Sequence, residues 1–117
     1  MRRLPAFTLL LALMSGAAVL APAALAAEGS ITIDSPKDGA KLDAMNQNKL
    51  VYAVVPGPGG DHVHVYVDGK ETGILRQLKG SYTLETLAAG THEICIKVAN
   101  KAHVPIGLQR CVTVSVE

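Results

Sequence analysis

Apolar and polar positions alternate in short runs along most of this chain, and helical spacing is absent beyond the first residues. In residues 62–67 (HVHVYV) every second residue is a valine, and residues 94–98 and 111–116 repeat this period of two. Successive side chains of a strand point to opposite faces, so the pattern predicts strands with one buried face. The predicted strands are 31–34, 50–55, 62–67, 72–78, 81–87, 91–98 and 111–116, with 40–42 as a short continuation of the first.

Turn sequences separate these runs. Residues 56–60 (PGPGG) break the chain firmly, and Asp68-Gly69 is a strong hairpin signal. About seven short strands in one small domain predict an immunoglobulin/fibronectin-like antiparallel β-sandwich. A small barrel is the alternative.

The first residues have the pattern of a secretory signal peptide. Arg2 and Arg3 precede an almost wholly apolar run over residues 6–20, and residues 24–26 (ALA) form an A-x-A cleavage site. We therefore expect residues 1–26 to be removed and residues 27–117 to form a single domain in the periplasm or outside the cell. The apolar run is short for a membrane span, so no anchor is expected after cleavage.

The composition of the chain argues against some classes of binding partner. The whole chain carries a formal net charge of +1, and loss of Arg2 and Arg3 would leave −1. A net charge so close to zero gives no excess of basic residues with which to bind nucleic acid or an anionic membrane. Beyond the leader there is no Trp or Phe, so Val, Ile, Leu and Ala must supply most of the core.

Cys95 and Cys111 are the only cysteines. An exported compartment favours their oxidation, and each lies on the polar side of its predicted strand. We expect a disulfide between neighbouring strands on their solvent side. In the loop-entropy model such a bond contributes about 3 kcal/mol.

The chemistry of the chain centres on His62 and His64. Two residues apart on one strand, their imidazoles share a face and can share a ligand. One interpretation is a chelating pair for copper(II) or zinc. The other is a solvent-facing strand on which both histidines are polar decoration.

The sandwich topology predicts which other groups approach this pair. The loop before residue 62 and the loop holding His103 lie at the same end of such folds, so His103 is the third candidate ligand. The amine of Ala27, freed by cleavage, and the carboxylate of Asp61 are additional candidate ligands. A carboxylate beside a Gly-rich turn is also ordinary turn chemistry.

His92 is expected to be structural. It shares the parity of Ile94 and Ile96, which predicts an inward ring at the opposite end of the sandwich. There its imidazole is expected to hydrogen-bond across the corner before its strand.

Three motifs in order resemble an exported bacterial domain family of unknown function. That family carries a histidine-rich strand of the HHHLLID type, then G-x-H-T-L, then a late H-x-P. Here residues 62–68 read HVHVYVD, residues 90–94 read GTHEI and residues 103–105 read HVP. Val63 replaces the middle histidine of the family motif and leaves the same-face pair. The resemblance implies an exported sandwich and brings no settled activity.

Three functions follow as hypotheses. The first is a metal-binding module using His62, His64 and His103. The second is a non-catalytic module that binds an unidentified protein or glycan through Tyr66, Lys70 and Arg76. The third, an enzyme, is not expected: the cysteines look paired, no Ser/His/Asp set has suitable spacing, and a dismutase-like pair of metals would need more histidines.

Overall fold

The computed structural model describes residues 2–3, 16 and 28–117. Nearly all of the predicted leader, and Ala27, lie outside this part of the chain, so the cleavage site and domain boundary stay predictions. Within the described residues, no helix has the length and apolar character needed to cross a bilayer.

Eight strands make up the described domain. They are β1 (Ser30–Ser35), β2 (Lys41–Leu42), β3 (Lys49–Val55), β4 (His62–Val67), β5 (Lys70–Leu75), β6 (Lys79–Thr83), β7 (Gly90–Ala99) and β8 (Pro105–Val116). One sheet has the order β1-β3-β6 and the other the order β2-β8-β7-β4-β5. The predicted β-sandwich is therefore confirmed, and the barrel is excluded because the strands form two separate sheets.

Several predicted strand bounds were wrong. Strand β5 ends at Leu75 where 78 was predicted, and β6 covers Lys79–Thr83 where 81–87 was predicted. Strands β5 and β8 begin early because the turns before them are tighter than expected. Asp68 and Gly69 both have positive φ, 52° and 81°, as a two-residue hairpin turn requires, so β5 starts at once with Lys70. Residues 100–104 form the next turn, and Ala99 already pairs with Pro105. Strand β8 thus begins six residues before the predicted start at Cys111.

Strand β2 is not a continuation of β1. The chain leaves the three-stranded sheet after the bulge at Ile33/Ser35 and crosses to the other sheet, where β2 pairs parallel with β8. The backbone N–H groups of Gly39 and Ser115 hold this crossing by donating to Thr113 and Ala40. An eighth strand results where seven were predicted.

The core fills the space between the two sheets. Alternate residues of β1, β3, β4, β7 and β8 supply it, together with Leu84 and Leu87. The core residues with no exposed surface are Leu50, Val63, Val65, Ile94, Ile96, Val98 and Val114. Tyr52 is buried with them, and its hydroxyl donates to the carbonyl of Gln77 at 2.8 Å. The valines of β4 therefore point inward, which sends His62 and His64 to the outer face.

The predicted disulfide is confirmed. Cys95 and Cys111 lie directly opposite each other on β7 and β8 and are bonded, on the face opposite Ile94 and Ile96. Cys111 is half-buried, whereas Cys95 is 4% exposed, so the bond is less open to solvent than expected.

Candidate metal centre

His62 and His64 lie side by side on the outer face of β4, the strand between β5 and β7. The interpretation of these histidines as polar decoration on a solvent-facing strand was wrong: His62 is 1% exposed and His64 is 4% exposed. They are covered because the β7–β8 turn folds over the outer face and brings His103 against both rings. The ring centroid of His103 is 4.5 Å from that of His62 and 5.4 Å from that of His64.

Three ring nitrogens converge at this point. Nε2 of His62 lies 2.8 Å from Nε2 of His64 and 2.9 Å from Nδ1 of His103, and the last two atoms are 3.3 Å apart. The structure thus brings together the three residues that strand parity and loop position selected. They come from one central strand and one turn, 39 residues apart in sequence between His64 and His103.

Asn100 shapes the turn that carries His103. Its side-chain oxygen accepts hydrogen bonds from the backbone N–H groups of Ala102 at 2.9 Å and Val104 at 3.0 Å. Its carbonyl accepts the N–H of His103 at 2.9 Å. His103 itself has a φ of 63°, a left-handed conformation that non-glycine residues seldom adopt. The turn holds this conformation and aims the imidazole back at β4.

Two carboxylates orient the buried pair. Nδ1 of His62 lies 2.9 Å from Asp61, and Nδ1 of His64 lies 2.8 Å from Glu71. Each Nδ1–H donates to its carboxylate, so each Nε2 presents a lone pair to the convergence point. Asp61, a candidate ligand from sequence, lies on the far side of the His62 ring and acts through it. Such carboxylate–histidine pairs fix the tautomer and raise the basicity of metal-ligating imidazoles.

Sequence reasoning missed Glu71. Glu71 pairs with Tyr66 across the Asp68-Gly69 hairpin, which places its side chain on the outer face that also carries His64. The hairpin signal itself indicates this register, because a two-residue turn at Asp68-Gly69 sets residue 67 opposite residue 70 and residue 66 opposite residue 71. The strand was predicted to begin at residue 72, so Glu71 was left out of it.

Burial and charge set the protonation of this cluster. Burial lowers the pKa of His64 below its ordinary 6.5; the Glu71 carboxylate opposes this shift, while His62 and His103 add to it. The hydrogen bond from His62 lowers the pKa of Asp61 below 3.8. At neutral pH the cluster therefore combines ionised Asp61 with a neutral His64 imidazole, the form that binds metals.

The spacing of the three nitrogens suits a transition-metal ion. A point equidistant from them lies about 1.8 Å from each, so an ion with metal–nitrogen bonds of about 2.0 to 2.1 Å would fit about 1 Å out of their plane. The three imidazoles would then occupy one side of the ion and leave the other side to an external donor.

His92 lies at the other end of the domain, as expected, but its environment differs from the prediction. The ring is half-buried and both nitrogens are bonded: Nδ1 lies 2.6 Å from Asp68, and Nε2 lies 2.7 Å from the carbonyl of Ala88. The hydrogen bond to Asp68 raises the pKa of His92, and the same bond lowers the pKa of Asp68. The contact across the corner is present, with a second partner that sequence did not indicate.

Ala27 lies outside the described residues, so its amine stays a predicted ligand. The first residue after it, Glu28, packs its backbone against Gly57 in the loop before β4. A second group of metal-ligating types, Glu93, Cys95 and Cys111, offers no thiolate because both cysteines are in the disulfide.

Comparison with known proteins supports the fold alone. No family model matches the chain, and no curated protein matches its sequence. Among solved structures, it is similar to a fibronectin(III)-like module of CbhA from Clostridium thermocellum, with a TM-score of 0.61 and 18% identity over 74% of this chain and 95% of that one.

Two further structures contain a similar sandwich within longer chains. One is an engineered protein, with a TM-score of 0.54 and 19% identity over 76% of this chain. The other is the extracellular domain of BT4673 from B. thetaiotaomicron, with a TM-score of 0.50 and 13% identity over 75% of this chain. The matches span 20% and 15% of those two chains.

Proposed function

We propose that this chain is an exported, non-catalytic β-sandwich protein that binds one transition-metal ion, copper(II) or zinc, through His62, His64 and His103. The observation that carries the proposal is the pair of carboxylates on Nδ1 of His62 and of His64. Because both Nδ1–H groups donate to carboxylates, the two Nε2 atoms carry lone pairs, and these atoms lie 2.8 Å apart.

A proton relieves this repulsion less completely than an ion does. The Nδ1–H group of a neutral His103 would donate to Nε2 of His62 at 2.9 Å and only weakly to Nε2 of His64 at 3.3 Å. The two Nε2 atoms would still face each other at 2.8 Å with no proton between them. A cation equidistant from the three nitrogens would accept all three lone pairs. The two carboxylates would offset its charge, as they do around metal-ligating histidines in general.

The donor set selects the class of ion. Three imidazole nitrogens suit copper(II) and zinc, whereas calcium and magnesium prefer oxygen ligands. No thiolate or thioether joins the three nitrogens among the described residues, and Met45, at 92% exposure, lies in the loop before β3. Soft ions such as copper(I) are therefore disfavoured. Copper or zinc handling, as a carrier, buffer or sensor, is the role that follows.

Export is the proposed location. The disulfide between Cys95 and Cys111 suits an oxidising compartment, and the leader pattern of residues 1–26 points the same way. The motif resemblance to exported bacterial domains agrees with both.

An interaction module for a protein or glycan is the alternative function. Lys70 and Arg76 are exposed, as that role requires. Tyr66, its expected aromatic contact, is half-buried, and the ammonium of Lys97 lies 4.3 Å above its ring. An aromatic side chain already engaged by a cation is a poorer docking group, so metal binding is favoured.

Calorimetric titration of the oxidised protein with copper(II) and zinc tests the proposal. We expect one-to-one binding that is lost in the His62→Ala/His64→Ala double variant. His92→Asn is the matched control, because it removes an imidazole outside the cluster and should bind as wild type does. Circular dichroism establishes that each variant is folded. Weak binding that is the same in all three proteins would reject the metal site and direct attention to the alternative.

A further inference from the structure

The surrounding structure constrains the three histidines to very different degrees. His62 and His64 lie on a central strand paired on both sides, and each has a carboxylate on Nδ1. His103 lies on a turn whose residues 101–104 are all exposed. Among the described residues, the only hydrogen-bond partners of its ring are the two other histidines.

The turn also has room to move. Residues 100–102 line one wall of an open cleft of about 530 Å³, and Gly59, Gly60 and Asp61 line the other. Local openings of exposed turns cost much less free energy than openings of core strands. Displacement of His103 therefore requires only this turn to swing, whereas displacement of His62 or His64 would disturb β4.

We propose that His103 is the exchange ligand of the site: an external donor with an imidazole or carboxylate group displaces it, and the ion enters and leaves by that route while His62 and His64 stay bound. This inference rests on the proposed function.

Ligand exchange at the ion involves no change of oxidation state. A lone pair of the external donor forms a coordinate bond on the open side of the ion. The bond from Nδ1 of His103 then breaks, and that nitrogen keeps its lone pair as a neutral imidazole. The ion retains its charge and is held by the two buried nitrogens and the incoming donor.

Asn100 is a positioning residue in this scheme. Its side-chain oxygen ties the N–H groups of Ala102 and Val104 and so keeps His103 in its left-handed conformation. Loss of that oxygen would raise the population of open turns without touching the ion. Its effect should appear in the rate of exchange more than in the number of nitrogens bound.

Transfer of copper(II) from the loaded, oxidised protein to EDTA, followed by stopped-flow absorbance, tests the inference. We expect a wild-type rate that rises with EDTA concentration. His103→Ala should release copper at least about tenfold faster, since changes at a binding site act mainly on dissociation. Asn100→Ala should shift the rate in the same direction by less. Val104→Ala, on the same turn with an exposed side chain, is the matched control and should behave as wild type does.

Imidazole added to copper-loaded His103→Ala gives a second readout, which does not depend on turn stability. We expect it to restore the visible absorption band of the wild-type complex by filling the vacated position. Equal release rates in wild type and His103→Ala, with identical spectra, would overturn the inference while leaving metal binding intact. If no copper binds to the wild-type protein at all, the proposed function fails and this inference fails with it.

Discussion

Two histidine–carboxylate clusters lie at opposite ends of this sandwich, and they differ in what the second ring nitrogen meets. In His92 one nitrogen faces Asp68 and the other faces the carbonyl of Ala88, so protein atoms satisfy the whole ring. In His62 and His64 one nitrogen faces a carboxylate and the other faces further imidazole nitrogens. A ring with two oxygen acceptors is complete within the fold, whereas three converging ring nitrogens are a set of donors that a cation can occupy.

The two clusters also have opposite electrostatics. The pKa of His92 is raised by its hydrogen bond to Asp68, because a half-open site beside a carboxylate favours imidazolium. The pKa of His64 is lowered because burial outweighs the attraction of Glu71. His92 is thus held more readily in its protonated form and His64 in its neutral form. The following predictions distinguish the two clusters.

Metal binding should stabilise the folded protein through the cluster of His62, His64 and His103 and not through His92. This is the largest effect expected. At a free copper(II) or zinc concentration of one hundred times Kd, binding to the folded state adds about 2.7 kcal/mol to the free energy of unfolding. Thermal unfolding with and without metal measures it. We expect the gain to persist in His92→Asn and to vanish in His62→Ala/His64→Ala. A gain that vanished in His92→Asn would mean that the corner, too, contributes to binding.

Neutralising the carboxylate on a metal-site histidine should weaken binding. We expect Glu71→Gln to lower the metal affinity by about 10- to 100-fold, because the amide cannot hold the His64 tautomer and basicity as the carboxylate does. Titration calorimetry measures the loss. Asp68→Asn makes the equivalent change beside His92 and should leave affinity unaltered; equal losses in both would contradict the assignment of Glu71.

Removing the His92 side chain should lower the stability of the protein without affecting metal binding. We expect His92→Ala to lower the free energy of unfolding of the metal-free protein by about 1 to 2 kcal/mol, because two hydrogen bonds across the corner are lost, one of them to a carboxylate. Urea denaturation measures this change. A free energy of unfolding unchanged within error would contradict a stabilising role for the two hydrogen bonds of His92.

The smallest effect expected is a pH dependence specific to the corner. The folded pKa of His92 lies above its ordinary 6.5, so the protonated ring stabilises the fold fully below pH 6.5. That contribution is lost as the pH rises through the folded pKa. The metal-free wild type should therefore lose stability over this range relative to His92→Asn. Parallel stability curves for the two proteins would contradict the pairing with Asp68.

Sequence reasoning reached the fold and the three converging histidines because both rest on local rules. The period of two in residues 62–67 places His62 and His64 on one face, and sandwich topology places His103 at the same end. The parity of Cys95 and Cys111 likewise indicated their pairing across β7 and β8.

What could not be predicted depends on contacts between distant segments. The burial of His62 and His64 follows from the turn at residues 100–104 folding onto the outer face. Glu71 reaches His64 because the tight turn at Asp68-Gly69 starts β5 at Lys70 and pairs Glu71 with Tyr66, the next residue on the same face as His64. Asp68 meets His92 across 24 residues of sequence. In each case the side chain's role is set by register and loop conformation, which the alternation of residues does not encode.

The most direct test of the central claim is the electron paramagnetic resonance spectrum of the copper(II)-loaded protein with ¹⁵N-labelled histidine. We predict superhyperfine coupling from three imidazole nitrogens in wild type and in His92→Asn, reduced to two in His103→Ala. Coupling that stayed the same in His62→Ala/His64→Ala, or that was absent from wild type, would contradict a three-histidine metal centre.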